Sequence, residues 1–212
     1  MAVWTVAAEQ GTGGDRLSAA LAAAADVELL DRDALAVLAH ELNPEITDGA
    51  TIDELERTVG SPGITLLALG IPFSPLAGEL VRDLQLHHAL PALGRAVLDR
   101  AAHEPCVIYA PAAFAALAGH AGPVHVRLRA PLEWRIAQHA RERFLSRRAA
   151  EKEVREDDRR KHAWVRSIYH VEIDDPRHYS LVLDASRFPL ERQVETLLAA
   201  AGVVLARPAL LE

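Results

Sequence analysis

The stretch that most constrains this chain runs from Val3 to Leu21. An apolar run, Val3-Trp4-Thr5-Val6, breaks into Glu9-Gln10-Gly11-Thr12-Gly13-Gly14-Asp15-Arg16 and reopens as an alanine- and leucine-rich helix. A strand, a glycine turn and a helix in that order make an anion site, because glycines let backbone N–H groups converge and the helix start is positive. The phosphate-loop signature G-x-x-x-x-G-K-[ST] can be laid on Ala8 to Asp15, and the fit is partial. Gly11 and Gly13 keep the turn, while Ala8 replaces the first glycine, Gly14 the lysine and Asp15 the magnesium-binding hydroxyl. The turn is retained; its side-chain chemistry is not. A glycine turn after a first strand is also a common tight connection, so the rest of the chain has to decide.

A chain of 212 residues, half of them apolar and a quarter charged, has the composition of one globular domain, here taken as residues 1–212. The single Cys106, inside Pro105-Cys106-Val107-Ile108-Tyr109, excludes an internal disulfide and reads as a buried structural thiol. No apolar run approaches the about 20 residues of a membrane span and no signal-peptide pattern opens the chain, so a cytoplasmic location with no membrane partner is expected. The net charge of −7 is uneven. Residues 127–166 hold 13 basic and 7 acidic side chains, a local +6, which leaves −13 for the remainder. A basic segment in an acidic chain suits an anionic ligand, although i,i+4 pairs such as Glu151/Arg155 account for part of it. Nucleic acid is not expected, since the chain is acidic and aromatics are not interleaved with the basic residues.

Along the chain, Val27 to Leu30 reads as a strand, and Asp31 is placed to cap a helix from Asp33 to Leu42 that Asn43-Pro44 closes. Thr51 to Val59 carries a capping box with Glu54, Gly60 to Gly63 is a loop, and Ile64 to Leu69 is undecided between helix and strand. Glu79 to Ala102 has a helical apolar stripe, and His87-His88 within it is a surface pair, since adjacent helical residues do not share a face. Cys106 to Tyr109 and Val124 to Arg129 are strands, the second alternating Val124/Val126/Leu128 with His125/Arg127/Arg129. Leu132 to Arg143 is helical, Ser146 caps a long charged helix to about Tyr169, Leu181 to Leu183 is a last strand, and Leu190 to Ala201 a closing helix. Alternating strands and helices predict an α/β fold with a largely parallel sheet, whose ligands bind at the carboxyl ends of the strands. The glycine turn and Asp31 would lie there, with residues of about 141–170 as a helical lid.

The segment Val126-Arg127-Leu128-Arg129-Ala130-Pro131-Leu132-Glu133-Trp134-Arg135-Ile136 resembles the strand–turn–helix of the cytidylate kinase-like family, among the P-loop nucleoside monophosphate kinases. The similarity continues through the charged helix 151–166, Tyr169, Asp174-Asp175-Pro176-Arg177-His178-Tyr179 and Leu181 to Arg187. Gly11-Thr12-Gly13-Gly14 is similar to the family's glycine-serine-glycine-glycine loop, which also lacks the lysine, and Leu30-Asp31-Arg32-Asp33 to the end of its second strand. The resemblance implies a nucleoside-monophosphate-kinase-like three-layer fold, with ATP, Mg²⁺ and CMP or dCMP as ligands and phosphoryl transfer by positioning and charge stabilisation. By position it implies that Gly11, Thr12, Gly13, Gly14, Asp15 and Arg16 hold the ATP phosphates and that Asp31 lies beside the acceptor or the metal. Arg143, Arg148, Arg155 and Arg159 become the phosphate clamps of the lid, with Arg155, Arg159 and Asp31 catalytic; no protein metal ligand is assigned. Arginine suits such clamps through its bidentate fork.

Three departures oppose catalysis. Relatives usually carry arginine where this chain has Ala8, a basic residue where it has Asp15, and glycine-arginine-glycine where it has Ala110-Pro111-Ala112. Losing groups that stabilise charge in a transition state costs several kcal/mol each. The first expectation is therefore an ATP-dependent (d)CMP kinase-like phosphotransferase of standard or altered substrate. The alternative is a non-catalytic relative that binds nucleotide or another anion as a sensor or interaction protein. A purely structural module, its basic helix docking an acidic partner, is the third.

Overall fold

Residues 2–42, 94, 96–120 and 122–202 are described by the computed structural model. Five strands, β1 (Val3–Ala8), β2 (Glu28–Leu30), β3 (Cys106–Tyr109), β4 (Val124–Arg129) and β5 (Leu181–Asp184), form one sheet in the order β2-β3-β1-β4-β5. Every pairing is parallel. The helices are α1 (Gly14–Ala25), α2 (Arg32–Leu42), α3 (Ala113–Ala116), α4 (Leu132–Glu142), α5 (Arg147–Tyr169) and α6 (Leu190–Ala200), with a further helical turn over 96–101. The α/β class and parallel sheet expected from the sequence are what is observed. Asn43-Pro44, Thr51 to Val59, Gly60 to Gly63, Ile64 to Leu69 and His87-His88 lie outside the described residues, as does most of Glu79 to Ala102.

β1 explains the layering. All six of its residues are buried, as a central parallel strand covered on both faces requires. Successive side chains alternate between the faces. Trp4, Val6 and Ala8 join Leu17, Leu21, Val126, Leu128 and Leu197 in the core beneath α1 and α6. Val3 packs on the other face with Leu98, Ile108 and Leu117, and Ala7 with Phe114, Trp164 and Val165. The Trp4 indole donates to the Leu197 carbonyl at 3.1 Å, so the largest side chain of the core also satisfies its one polar group.

The order of the strands places the site. From β1 the chain crosses through α1 to β2 at one edge, whereas β3 leads across β1 to β4. Connections that leave in opposite directions open a crevice at the carboxyl ends of β1 and β3. Two helix starts were legible as caps. The Asp31 carboxylate accepts from the Ala34 amide at 3.0 Å, and Ser146 Oγ from the Ala149 amide at 3.3 Å. The first helix begins at Gly14, because Gly13, at φ 75°, makes the turn and serves as its N-cap.

α5 spans about 34 Å at 1.5 Å per residue and carries a mixed stripe. Ala150 and Val154 pack on Ile136 of α4, and Trp164 and Val165 pack against Phe114 and Ile173. Between these apolar ends the same helix presents Asp157, Asp158 and Lys161, where it crosses the glycine turn. The charged helix is thus anchored at both ends by burial.

Trp4→Phe is expected to lower stability by about 2 kcal/mol in urea denaturation, from an unpaired Leu197 carbonyl lone pair and a small cavity. An unchanged midpoint would show that the indole bond contributes nothing.

Candidate functional site at the carboxyl edge of the sheet

The glycine turn is built on Glu9. This side chain is 9 % exposed and ends β1 facing three arginines. Its carboxylate accepts from Arg129 Nε at 3.2 Å and the Ala130 amide at 3.0 Å, and pairs with Arg135 Nε at 3.2 Å. Arg127, 2 % exposed, lies 3.9 Å from it and donates to Asp174 at 2.8 Å and to the Ala7 carbonyl at 3.3 Å. Arg135, also buried, donates to the Gln10 carbonyl at 3.1 Å and to both oxygens of Asp158 on α5. One network therefore ties the ends of β1 and β4, the turn, α4 and α5. Buried ions survive only when paired in this way, and deleting one partner costs about 3–5 kcal/mol. The alternation in β4 had placed Arg127 opposite the apolar residues; it is nevertheless buried, because Asp174 and Glu9 meet it there.

Above this base the turn is rigid. Thr12 Oγ1 donates to the Glu9 carbonyl at 2.7 Å, and Gly11 has φ 82°. A Cβ on Gly11 would stand 2.5 Å from the Arg135 carbonyl oxygen, so both the conformation and the space require glycine. The first turn of α1 has no side-chain cap, which leaves its N–H groups to a ligand.

Ala8 and Gly14 explain each other. A Cβ on Gly14 would fall 2.3 Å from the Ala8 Cβ and 3.0 Å from the Tyr109 ring. The methyl that replaces the signature's first glycine thus occupies the room that a lysine at 14 would need. The two departures are one steric event.

Gly11, Gly13, Gly14 and Asp15 open on a cavity of about 450 Å³, whose far wall is formed by His139, Glu142, Arg143, Glu153, Asp157 and Arg160. His139 Nε2 pairs with Glu153 at 2.8 Å, Arg160 with Asp157, and Arg16 with Glu142 at 2.6 Å. With Glu9, Asp15, Glu142, Glu153 and Asp157 on its lining, the cavity is richer in carboxylates than in cations. Burial, with Asp15 and Asp157 nearby, pushes the Tyr109 phenol up, so it remains a neutral hydroxyl. A second cleft of about 260 Å³ adjoins the first at Gly13, with Thr12 and Arg16 on one side and Trp134, Phe188 and Pro189 on the other. A third, of about 160 Å³, lies in the crevice between Ala8 and Tyr109 and reaches Arg32 and Lys161.

The residues picked from the sequence divide accordingly. Gly11, Gly13, Gly14, Asp15 and Arg143 share the largest of these three cavities, and Thr12, Gly13 and Arg16 the aromatic cleft. Asp31 caps α2. Arg155 and Arg159 are exposed on α5, donating to Glu151 at 2.9 Å and to the Arg155 carbonyl at 3.2 Å, and Arg148 is exposed at its start. None of these four lines any of the three cavities; Arg160 and Lys161 of the same helix do. Glu9, Tyr109, Arg135 and Lys161 were not singled out, although a charge closing an apolar strand, as Glu9 does, was a signal. Cys106 is a buried thiol pushed up to about 11 by burial and by Glu28 and Glu104, which makes it inert at neutral pH. Among the described residues no cluster of three or more metal-ligating side chains occurs and no helix is long and apolar enough to cross a membrane.

A 2-3-1-4-5 parallel sheet with a glycine turn after its first strand defines the class of P-loop kinase folds. A shikimate kinase from Bacteroides thetaiotaomicron shares it at a TM-score of 0.52 and 13 % identity, over 93 % of this chain and 97 % of that one. An uncharacterized protein from Eubacterium ventriosum superposes with a TM-score of 0.60 at 12 % identity, over 95 % and 98 % of the two chains. The sequence profile of the cytidylate kinase-like family matches residues 3–187, and the chain belongs to that family. No curated protein matches the chain significantly.

Two variants probe this geometry. Gly14→Lys is expected to destabilise the protein by more than about 2 kcal/mol through the Ala8 clash, and Ala8→Gly in the same chain to recover at least half of that in thermal melts. Additive losses would break the steric link. For Asp174, burial opposes ionisation, but the hydrogen bond from Arg127, with His162 and Arg129 near, holds its carboxyl below the unfolded value of 3.8. Its contribution is therefore complete above that value and is lost as pH falls through the lower folded pKa. Asp174→Asn should be less stable than wild type at pH 7, with the gap closing in strong acid; a gap independent of pH would refute the ion pair's role.

Proposed function

We propose that this chain is a Mg²⁺- and ATP-dependent phosphotransferase acting on CMP or dCMP. The observation that carries the reading is the uncapped start of α1, which opens with Gly11 and Gly13 on a cavity covered by α4 and α5. In this reading the backbone amides of the turn hold the donor's phosphates, and Arg143 and Arg160 clamp them from the far wall. The adenine ring lies in the adjoining cleft, against Trp134, Phe188 and Pro189. Flat apolar walls beside a phosphate turn suit a nucleobase. CMP as acceptor rests on the family, because a fold shared with shikimate kinase does not choose one.

The donor set of the cavity fits Mg²⁺. Asp15 lines it, whereas Asp157 is engaged by Arg160 and Lys161, and this ion takes one or two carboxylates and completes its shell with phosphate oxygens and water. A bound Mg²⁺ would supply charge neutralisation to the phosphates in a cavity otherwise rich in carboxylates. Asp15, at the position of the signature's hydroxyl, would then serve as a metal ligand. Free ATP should bind far more weakly than its magnesium complex.

The second reading is a non-catalytic relative that binds nucleotide or another anion as a sensor or interaction protein. It is favoured by Ala8, Asp15 and Ala110-Pro111-Ala112, which leave these positions without a basic side chain. Calorimetry with ATP, with and without Mg²⁺, followed by an ADP-release assay over the nucleoside monophosphates, separates the two. Submillimolar Mg²⁺–ATP binding and CMP-dependent ADP release are expected. Binding without turnover for any acceptor selects the second reading, and no heat with any nucleotide refutes the first reading and the nucleotide form of the second.

A further inference from the structure

The turn excludes a lysine at position 14, yet an ammonium lies beside it, supplied by α5. Lys161 Nζ donates to the Ala8 carbonyl at 3.0 Å and pairs with Asp157 at 2.7 Å. Ala8 is the residue whose methyl closes position 14. The cation therefore sits at the end of β1, on the carbonyl of the residue whose methyl closes position 14.

We propose that Lys161 is a phosphate-binding residue of this site, supplying from the lid helix the cation that the turn lacks. This rests on the phosphotransferase reading and assigns it a residue that the turn's sequence signature does not reach.

Five features support the assignment. The side chain is 11 % exposed and its ammonium is held between Asp157 and the Ala8 carbonyl, so it is positioned before a ligand arrives. Of its three N–H donors one goes to the Ala8 carbonyl, and the ammonium is also ion-paired with Asp157, which leaves donor capacity for a ligand. It borders the cavity of about 160 Å³ between Ala8 and Tyr109, in which Arg32 is a second cation. That volume is smaller than the about 300–1,000 Å³ of whole-ligand pockets and suits a phosphoryl group at the crevice. Position is fixed as well, because the neighbouring Asp158 is held by both its oxygens to Arg135, which holds the turn at Gln10. The chain contains two lysines, Lys152 and Lys161, against 21 arginines, so this ammonium is uncommon within its own sequence.

The two lysines make the test internal. Lys152, 74 % exposed, pairs with Glu156 and faces solvent. The full-length protein is acetylated with a limiting amine-reactive ester, with and without Mg²⁺–tripolyphosphate, and each lysine is followed by peptide mass spectrometry. Lys161 is expected to be protected at least fivefold while Lys152 is unchanged. Calorimetry on Lys161→Met, with its fold checked by circular dichroism, should show at least tenfold weaker tripolyphosphate binding, and Lys161→Arg should recover most of it.

Tripolyphosphate binding that leaves Lys161 as reactive as before overturns the proposal even if the methionine variant does not fold. Equal affinity of wild type and Lys161→Met for Mg²⁺–ATP overturns it while leaving the phosphotransferase reading intact. Protection by tripolyphosphate with no binding of ATP does the reverse, refuting the nucleotide and retaining Lys161 as a phosphate ligand. Absence of tripolyphosphate binding to the wild type refutes both.

Discussion

The carboxylate of Glu9 is the point on which the site depends. It ends the central strand, receives Arg129, Arg135 and the Ala130 amide, and lies near Arg127. Two of those arginines are themselves buried, so each demands an anion, and Asp174 and Asp158 complete the pairing from outside the sheet. The result is an ionic floor on which the glycine turn rests. Its cost in desolvation is high, and its return is positional, since charges buried together tolerate few alternative arrangements. The turn is thereby held in shape by the groups beneath it.

The same network joins α5 to the floor. Arg135 on α4 reaches both the turn and Asp158 of α5, while α5 is held at its two ends by apolar contacts with α4 and with Phe114. The middle of α5 is left to ionic groups, and they meet the turn. A helix that looks uniformly charged in sequence therefore has a division of labour along its length. Its outward arginines, Arg155 and Arg159, pair along the helix at i−4, and its inward residues, Asp157, Asp158 and Lys161, face the site. Net charge per segment obscured this, because +6 over forty residues says nothing about which cations point inward.

Departures that look independent in sequence are coupled in space. Ala8 and Gly14 are six positions apart and differ from the phosphate-loop signature in opposite senses, one larger and one smaller. Their side-chain positions meet, so the enlargement at 8 requires the reduction at 14. The family's own loop lacks the lysine too, and the packing here shows a steric setting in which that loss is stable. An acidic cavity in front of the turn is the other half of the change.

What was legible in the sequence was local. The apolar run of β1, the glycine turn, the caps Asp31 and Ser146 and the boundaries of α4, α5 and α6 all follow from periodicity and from side chains bonding within a turn of themselves. The alternation of strands and helices then implied a parallel sheet and put the turn at its carboxyl edge. What only the tertiary structure decided were pairings over long separations. Glu9 meets Arg129 across 120 positions, and Lys161 meets Ala8 across 153. A charged side chain carries no mark of whether water or another charge will face it, because that depends on what packs above it. Whether Arg127 is solvated or buried, and which of the cations of α5 reach the turn, is therefore set by the assembled layers and by the cost of leaving a buried ion alone.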